Sequence, residues 1–454
     1  MIRWLVKAAF FVYHALCLSR LLLLYLQVER RWSHPMRPAV LTKVKMNDNS
    51  QYLIHTFPNG LRAVVARSAG DVSYTGVLVN AGSRDEEERC QGLAHFVEHT
   101  VFKGTRHRRS CHISSRMESI GGELNAYTTK EETMVYTNAP AGYVERSLEL
   151  LSDLVRNSIF PEREIEKEKE VIIEEILSYR DSPSDSVYDE FEELIYRGSG
   201  LAHNILGSPE SVKALTGRDA RSFIERCYTP GRLVIYCVDT GDPERNLRII
   251  ERHFGDMDFA DTPSRRTPPS VAYPFNETRR RDTHQANCIA GTLLFGRDDP
   301  RRHAVFLLNN LLGGPCMNSL LNMEMRDRRG LVYTVESNVG LMSDTGLIEI
   351  YFGCDPSAVK RCMTIIGNQI DRLAQSPLPE RRFAKIRDQY CGQLIVSGEH
   401  RESRAMALAK SLMYYGEIHD LKYTEERIRE VTAEEVRRAA ELIMNRGLSL
   451  LTLA

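Results

Sequence analysis

Two histidines and a glutamate that lie close together carry the clearest chemical signal in this sequence of 454 residues. His95, Glu98 and His99 form the pattern H-x-x-E-H. On a helix, His95 and His99 are one turn apart and project from the same face, so both imidazoles can reach one zinc ion. The Glu98 carboxylate can reach a water molecule whose pKa the metal has lowered, without itself binding the metal. The spacing therefore predicts a catalytic zinc site with Glu98 as the general base.

The residues that flank the motif favour a helix that is half-buried. Leu93, Ala94, Phe96 and Val97 are apolar and surround the two histidines. The alternative is a surface helix that carries two solvated histidines and a solvated glutamate. Burying polar side chains without a purpose costs free energy, so the apolar flanks favour the metal site.

A catalytic zinc site needs a third protein ligand and keeps its fourth position for water. A helix predicted over residues 162–179 is rich in glutamate and offers candidates. Glu168 and Glu175 are seven residues apart and share a face of this helix, with Ile172 between them. Periodicity alone does not choose among the glutamates, and any one of them could belong to a solvated charged helix.

The pattern of elements around these residues predicts an α+β fold with an internal duplication. Strands and helices continue to about residue 254, and a segment rich in Pro, Asp, Thr and Arg follows. Gly76–Asp85 is then echoed by Gly291–Asp298, and Pro161–Arg163 by Pro379–Arg381. These echoes indicate two duplicated domains of about 200 residues, far longer than a solenoid repeat, each a mixed β-sheet flanked by helices.

We accordingly divide the chain into four segments. Residues 1–45 are an N-terminal basic and apolar segment, and residues 46–255 are the domain that carries the zinc motif. Residues 256–285 are predicted to be a linker. Residues 286–454 are the C-terminal repeat of the first domain.

The first 45 residues differ in charge from the remainder. They hold eight Lys or Arg residues and one acid, and their apolar runs are interrupted by Lys7, His14 and Arg20. They therefore contain no uninterrupted apolar stretch of about 20 residues. Three interpretations stay open: a membrane anchor or export signal within residues 1–33, an organelle presequence over 1–45, or an incorrectly assigned start with Met46 as the initiator. A cytoplasmic protein is favoured, with membrane contact only if this segment is present.

The overall composition argues against a nucleic-acid-binding function. Sixty Lys and Arg residues face 61 Asp and Glu residues, which gives a formal net charge of -1. Neither a basic surplus nor a nucleic-acid-binding motif is present in the sequence. We expect no nucleic-acid partner.

The segment HFVEHTVFKGT, from His95 to Thr105, resembles the active-site helix of the M16 peptidases. This family includes the insulinase and pitrilysin enzymes and the mitochondrial processing peptidase. The resemblance implies zinc (Zn²⁺) held by His95, His99 and Glu175. In this family the third ligand is a glutamate, and it follows the second histidine of the motif at the same distance along the chain as Glu175 follows His99. The resemblance also implies that Glu98 is the general base that acts on the metal-bound water. Glu168 is expected to orient a metal ligand or this water.

Two further segments are similar to motifs of the same family. The segment Gly121–Thr128 resembles the edge strand against which a substrate peptide lies, which implies substrate contacts at Asn125, Ala126 and Tyr127. In the second half, Arg326 and Tyr333 fit the spacing of a family arginine and tyrosine that contact substrate or the tetrahedral intermediate. The alternatives are an ordinary sheet strand, a surface arginine and a core tyrosine.

The resemblance also implies an assembly and a function. Where the first domain's ligands would recur, the repeat has Asn309, Gly313 and Gln393, so the second domain is expected to bind no metal. Full clamshell members carry four such domains and this chain supplies half, so a homodimer or a heterodimer with a sister subunit is expected. The implied function is a zinc endopeptidase that cleaves short or unfolded polypeptides in a closed chamber. The alternative is a non-catalytic assembly or scaffold subunit of the same fold.

Overall fold

Strands of both halves are present in the computed structural model, which describes residues 42–45, 51–258, 266–270 and 274–454. The strands of the first half are β1 (Thr42–Lys45), β2 (Gln51–Thr56), β3 (Arg62–Arg67), β4 (Val72–Val79), β5 (Glu123–Thr128), β6 (Thr133–Pro140) and β7 (Leu233–Asp239). Those of the second half are β8 (Asn276–Arg279), β9 (Ala286–Phe295), β10 (Val332–Leu341), β11 (Thr345–Cys354) and β12 (Ser449–Leu453).

The order of these strands confirms the duplication. The first sheet has the order β1-β2-β3-β7-β4-β6-β5, and the second has the order β8-β12-β9-β11-β10. Five strands therefore correspond one to one, from β3 and β8 at one end to β5 and β10 at the other. The pairs β3–β7 and β8–β12 are parallel, and the remaining pairs of the shared order are antiparallel. Both domains thus share the predicted mixed α/β architecture.

Helices cover both sheets. Those of the first half are α1 (Leu93–Thr100), α2 (Ser110–Glu118), α3 (Val144–Asn157), α4 (Glu162–Arg180), α5 (Pro183–Ile195), α6 (Pro209–Ala214), α7 (Gly217–Cys227) and α8 (Pro243–Phe254). Those of the second half are α9 (Arg302–Gly313), α10 (Val359–Gln375), α11 (Glu380–Ser397), α12 (Arg401–Tyr415), α13 (Leu421–Glu430) and α14 (Ala433–Arg446).

One helix of each domain packs on the sheet of the other domain. Helix α5 packs on the second sheet, where Phe191 is buried in one apolar cluster with Ile289. Helix α12 packs on the first sheet, where Met406 and Ala409 are buried with Tyr236. The central strands are consequently covered on both faces, which explains why they are apolar almost throughout instead of alternating.

A buried network of charges also joins the two domains. Glu131, which follows β5, contacts Arg84 of its own domain and Arg297 of the second domain. Arg266, from the segment between the domains, approaches the same carboxylate. Burial alone would raise the pKa of Glu131, but these guanidinium groups and the Ser343 hydroxyl hold it at about 2. A carboxylate that is this strongly paired fixes the two domains and the connecting segment together.

The structure changes one boundary of the predicted organisation. The predicted linker, residues 256–285, includes β8, which pairs in parallel with β12 and therefore belongs to the second sheet. Its sequence, Asn-Glu-Thr-Arg, is polar and half-exposed, so it carries no apolar pattern that marks a strand. The predictions for residues 1–45 lie outside the described residues, apart from the backbone of β1. In the described ranges, we find no helix with the length and apolar character needed to cross a membrane.

Candidate metal centre

Packing of apolar side chains positions the helix that carries the H-x-x-E-H motif. Leu93, Phe96 and Val97 of α1 are buried in the core of the first domain. This leaves His95 and His99 on the side of the helix that faces α4, since α1 contacts both α4 and β5. The apolar flanks of the motif thus fix its orientation, as the sequence predicts.

The two histidines meet Glu175 of α4. His95 Nε2 lies 3.7 Å from Glu175 Oε2, and His99 Nε2 lies 3.5 Å from the same oxygen. The potential ligand atoms of the three residues all lie within 4.8 Å of one another. Among the described residues, this is the one group of three or more His, Cys, Asp or Glu side chains that could hold a metal ion.

The charges of the cluster fit a divalent cation. Burial, together with the neighbouring His99, lowers the pKa of His95 to about 4, so its imidazole is neutral and can act as a ligand. Burial opposes a charge on His99 as well, but its contacts with Glu168 and Glu175 raise its pKa to about 9. The cluster therefore favours positive charge at His99 Nε2, which faces the Glu175 carboxylate. Two imidazole nitrogens and one carboxylate oxygen are a zinc donor set.

Glu168 holds His99 from the side opposite Glu175. His99 Nδ1 lies 3.0 Å from Glu168 Oε1, and a carboxylate can only accept, so Nδ1 donates and Nε2 is left to face Glu175. Lys103 Nζ lies 2.7 Å from the other oxygen of Glu168. Burial would raise the pKa of Glu168, but the contacts with His99 and Lys103 lower it. Glu168 is thus ionised and orients the imidazole without facing the metal position.

Glu98 is half-buried beside the cluster. Burial raises the pKa of its carboxyl group, whereas the Thr128 hydroxyl and His99 favour the ionised form. Thr128 ends β5 and α1 packs against this strand, so Glu98 lies where the helix that carries the histidines meets the terminal strand of the sheet. A carboxylate with a raised pKa in this position can accept a proton near neutral pH.

The strand that sequence analysis assigns to substrate binding is the terminal strand of its sheet. β5 pairs with β6 on one side and ends the strand order on the other. Asn125 is exposed, whereas Ala126 packs against the first-domain core. The Tyr127 hydroxyl donates to Glu132, and Lys410 Nζ lies 5.2 Å from its ring centroid. The Tyr127 side chain therefore makes its contacts within the chain. Only the backbone of Tyr127 remains for a contact with substrate.

Arg326 and Tyr333 lie in the second domain. Arg326 is on a π-helical turn, Asn322–Asp327, and its Nη1 is 3.4 Å from Met317 Sδ. Tyr333 stands near the start of β10 and is 75% exposed, which excludes a core tyrosine. Within the described residues, neither side chain is hydrogen-bonded to the cluster of His95, His99 and Glu175. Both side chains are exposed and can contact a molecule outside the chain.

Sequence analysis missed three residues that contact the motif or its supports. Lys103 lies inside the segment that carries the resemblance, yet nothing in its type indicates that it pairs with Glu168. Glu86 and His203 meet at the start of α1, where His203 Nε2 lies 3.0 Å from Glu86 Oε2. Glu86 belongs to a run of three glutamates, so no pattern distinguishes it from its neighbours.

Both halves of the chain match one family of peptidases. Residues 62–209 match the family model "Insulinase (Peptidase family M16)", and residues 214–390 match "Peptidase M16 inactive domain". An uncharacterized zinc protease of Streptomyces coelicolor is 32% identical over 405 residues, which cover 87% of this chain and 88% of that protein. The mitochondrial-processing peptidase subunit beta of Mus musculus is 27% identical over 389 residues, covering 84% of this chain and 79% of that protein.

Solved structures agree on the fold. A protease from Helicobacter pylori superposes with a TM-score of 0.82 at 20% identity and covers 88% of this chain and 99% of its own. A structure titled "peptidase M16 inactive domain", from Pseudomonas fluorescens, gives a TM-score of 0.80 at 17% identity and covers 88% and 97%. At these identities the likeness concerns the two-domain architecture.

Proposed function

Because this chain belongs to peptidase family M16, we propose that it is a zinc-dependent endopeptidase. The observation that carries the proposal is the convergence of three potential ligands, His95, His99 and Glu175, next to the half-buried carboxylate of Glu98. His95 and His99 would bind through Nε2 and Glu175 through a carboxylate oxygen. Zinc in this position would polarise water and the scissile carbonyl group.

Glu98 would move the proton during hydrolysis. Its carboxylate accepts a proton from the attacking water and then donates it to the departing amine nitrogen, so the base is regenerated in each cycle. Glu168 has a different task, since its contact with His99 Nδ1 fixes the direction of Nε2. Lys103 keeps Glu168 in place and ionised.

The substrate would be a short or unfolded polypeptide. The free edge of β5 offers backbone groups to which an extended peptide can add as a further strand. A peptide bound there runs beside Thr128 and hence beside Glu98. A folded protein does not present such an extended segment, so its chain must be short or locally unfolded.

The active chamber would be completed by a second two-domain chain. Arg326 and Tyr333 are exposed on the second domain, and we propose that they meet the zinc site of a partner copy in a homodimer. There they would donate hydrogen bonds to the substrate or to the developing oxyanion. A sister subunit in place of the second copy is the alternative assembly.

Metal analysis combined with peptide cleavage tests the proposal. The purified protein should hold about one zinc per chain, as a three-ligand catalytic site requires, and should cleave a mixed peptide library. A chelator should abolish cleavage, and added zinc should restore it. Zinc-loaded protein that cleaves no peptide of the library, alone or as a dimer, would favour the non-catalytic scaffold subunit.

A further inference from the structure

The start of α1 has no cap of its own. The N-cap residue is Gly92, which has no side chain, and the first turn contains no acid. The first N–H groups of a helix need acceptors, and without them the first turn frays. Since α1 is eight residues long and His95 is its third residue, fraying here would displace a metal ligand directly.

Glu86 supplies the missing acceptor from outside the helix. Its Oε2 accepts from the Gly92 N–H at 2.8 Å, and its Oε1 accepts from the Ala94 N–H at 2.7 Å. The Glu86 side chain is fully buried, so no water competes for these donors. A carboxylate in this place also interacts favourably with the positive end of the helix dipole.

His203 fixes this carboxylate. His203 Nε2 lies 3.0 Å from Glu86 Oε2. Both oxygens of this carboxylate already accept from backbone N–H groups, so we assign His203 Nε2 as the donor. The backbone carbonyl of His203 accepts from Lys130 Nζ at 2.7 Å, and Lys130 in turn pairs with Glu192 at 3.1 Å. Burial raises the pKa of Glu86, while His203 and the two backbone N–H groups oppose this shift.

Two glycines bring the His203 loop against the start of α1. Gly92 has φ +90, and a Cβ added to it would lie 2.6 Å from the Leu206 carbonyl oxygen. Gly207 has φ +75, and a Cβ added there would lie 2.5 Å from the Gln91 carbonyl oxygen. The two turns are thus in backbone contact, which no larger residue permits. The loop that carries His203 is thereby fixed relative to the helix.

We infer that Glu86 and His203 are positioning residues that set the start of α1 and hence the direction of both imidazoles. They contact neither the metal position nor a substrate, and they act through the backbone of Gly92 and Ala94. The inference rests on the proposed zinc site, because its effect is expressed as the placement of His95 and His99 relative to Glu175.

Zinc affinity and the visible absorption of the cobalt-substituted protein test this inference. Glu86→Gln leaves one acceptor oxygen for two N–H groups, so one contact with the helix must be lost. His203→Leu removes the donor, whereas His203→Gln keeps a donor at similar reach. We expect Glu86→Gln and His203→Leu to weaken zinc binding about 10- to 100-fold, as removal of an outer hydrogen-bond partner does. Their Co²⁺ spectra should change, because these spectra report coordination geometry.

Two comparisons separate positioning from general stability. Glu87→Gln, at an exposed neighbour that pairs with surface arginines, and the conservative His203→Gln should both bind zinc within about twofold of the wild type. The double variant Glu86→Gln/His203→Leu should bind zinc no more weakly than Glu86→Gln alone, because His203 acts through Glu86. For Glu86→Gln and His203→Leu at saturating zinc, kcat should fall while KM stays unchanged.

The possible failures are distinguishable. If Glu86→Gln lowers the melting temperature but leaves zinc affinity, the Co²⁺ spectrum and kcat unchanged, the pair has only a structural role and the inference is wrong. Additive losses in the double variant would also contradict it, since His203 would then act independently of Glu86. If instead the wild type binds no zinc, the proposed function fails first, whatever the variants do.

Discussion

The first and second domains place corresponding helices against corresponding sheets, but they fill the space beside those helices differently. In the first domain, His99 projects from α1 toward Glu168 and Glu175. In the second domain, Gly313 ends α9, and a Cβ added to it would lie 2.8 Å from the backbone nitrogen of Ser337 on β10. The backbone of β10 thus lies against Gly313 and leaves no room there for a side chain.

The remaining counterparts are satisfied by neutral hydrogen bonds. Asn309 Nδ2 donates to the Ser337 carbonyl at 3.0 Å, and the Ser337 hydroxyl donates back to Asn309 Oδ1 at 2.5 Å. Gln393 Nε2 donates to Cys316 Sγ at 2.8 Å. None of these groups carries a negative charge that a cation would balance. In the first domain, by contrast, Glu98, Glu168 and Glu175 lie around two imidazoles. The shared strand order therefore depends on apolar faces and packing, and the chemistry depends on a few side chains that the fold does not require.

The largest effect is expected at Glu98, which has no acidic counterpart in the second domain. Glu98→Gln removes the proposed proton acceptor but leaves His95, His99 and Glu175 in place. Peptidase activity should fall by about 10²- to 10⁴-fold, while zinc content stays near the wild-type value. Metal analysis and peptide cleavage on one preparation measure both. A variant that loses its zinc while His99→Ala keeps it would reverse the two roles.

The second prediction exchanges corresponding residues of the two domains. Glu175→Gln removes a proposed metal ligand. It should weaken zinc binding by more than about 100-fold, which is the upper range for the loss of an outer hydrogen-bond partner. The matched change Gln393→Glu should create no second site, because Asn309 and Gly313 offer no imidazole. Zinc titration should therefore give about one ion per chain for Gln393→Glu. A Glu175→Gln protein with full zinc and full activity would exclude Glu175 as the third ligand.

How far sequence could anticipate the site depends on the range of each interaction. The start of α4 at Glu162 is predicted as the structure has it, because a proline just before the first helical residue and acids in the first turn are local signals. The resemblance gives Glu168 a supporting role, but its partner Lys103 has no pattern of its own. Contacts such as Glu86 with His203 join residues that are far apart in sequence, and no periodicity reports them. The exchange of α5 and α12 between the sheets is likewise a property of tertiary packing.

A smaller effect is expected for Lys103, which has no direct contact with the proposed ligands. Lys103→Met removes the positive charge from Glu168 Oε2 but keeps the length of the side chain. Zinc affinity or kcat should fall about 10-fold to 100-fold, since Glu168 then holds His99 less firmly. The control is Lys167→Met, whose ammonium group pairs with Glu164 at the surface and should matter little. Equal values for both variants would show that Glu168 needs no partner to orient His99.

The smallest expected effect is a partial recovery of activity when two inactive variants form mixed dimers. It tests whether the first domain of one chain and the second domain of its partner form one proposed active site. If a partner's Arg326 and Tyr333 face each zinc site, Glu98→Gln chains and chains carrying Arg326→Ala with Tyr333→Phe should complement each other when refolded together at equal concentrations. Half of the dimers are then mixed, and each mixed dimer has one site in which an intact zinc motif faces an intact arginine and tyrosine. Random pairing of a symmetric dimer therefore predicts recovery of about one quarter of wild-type activity, although each variant alone is nearly inactive.

Exchange is checked by capturing mixed dimers through a tag on one variant. Mixed dimers that are captured but inactive would show that Arg326 and Tyr333 serve the zinc site of their own chain or take no part in the reaction. In that case the two domains of one chain, which the Glu131 network holds together, would have to supply the whole site.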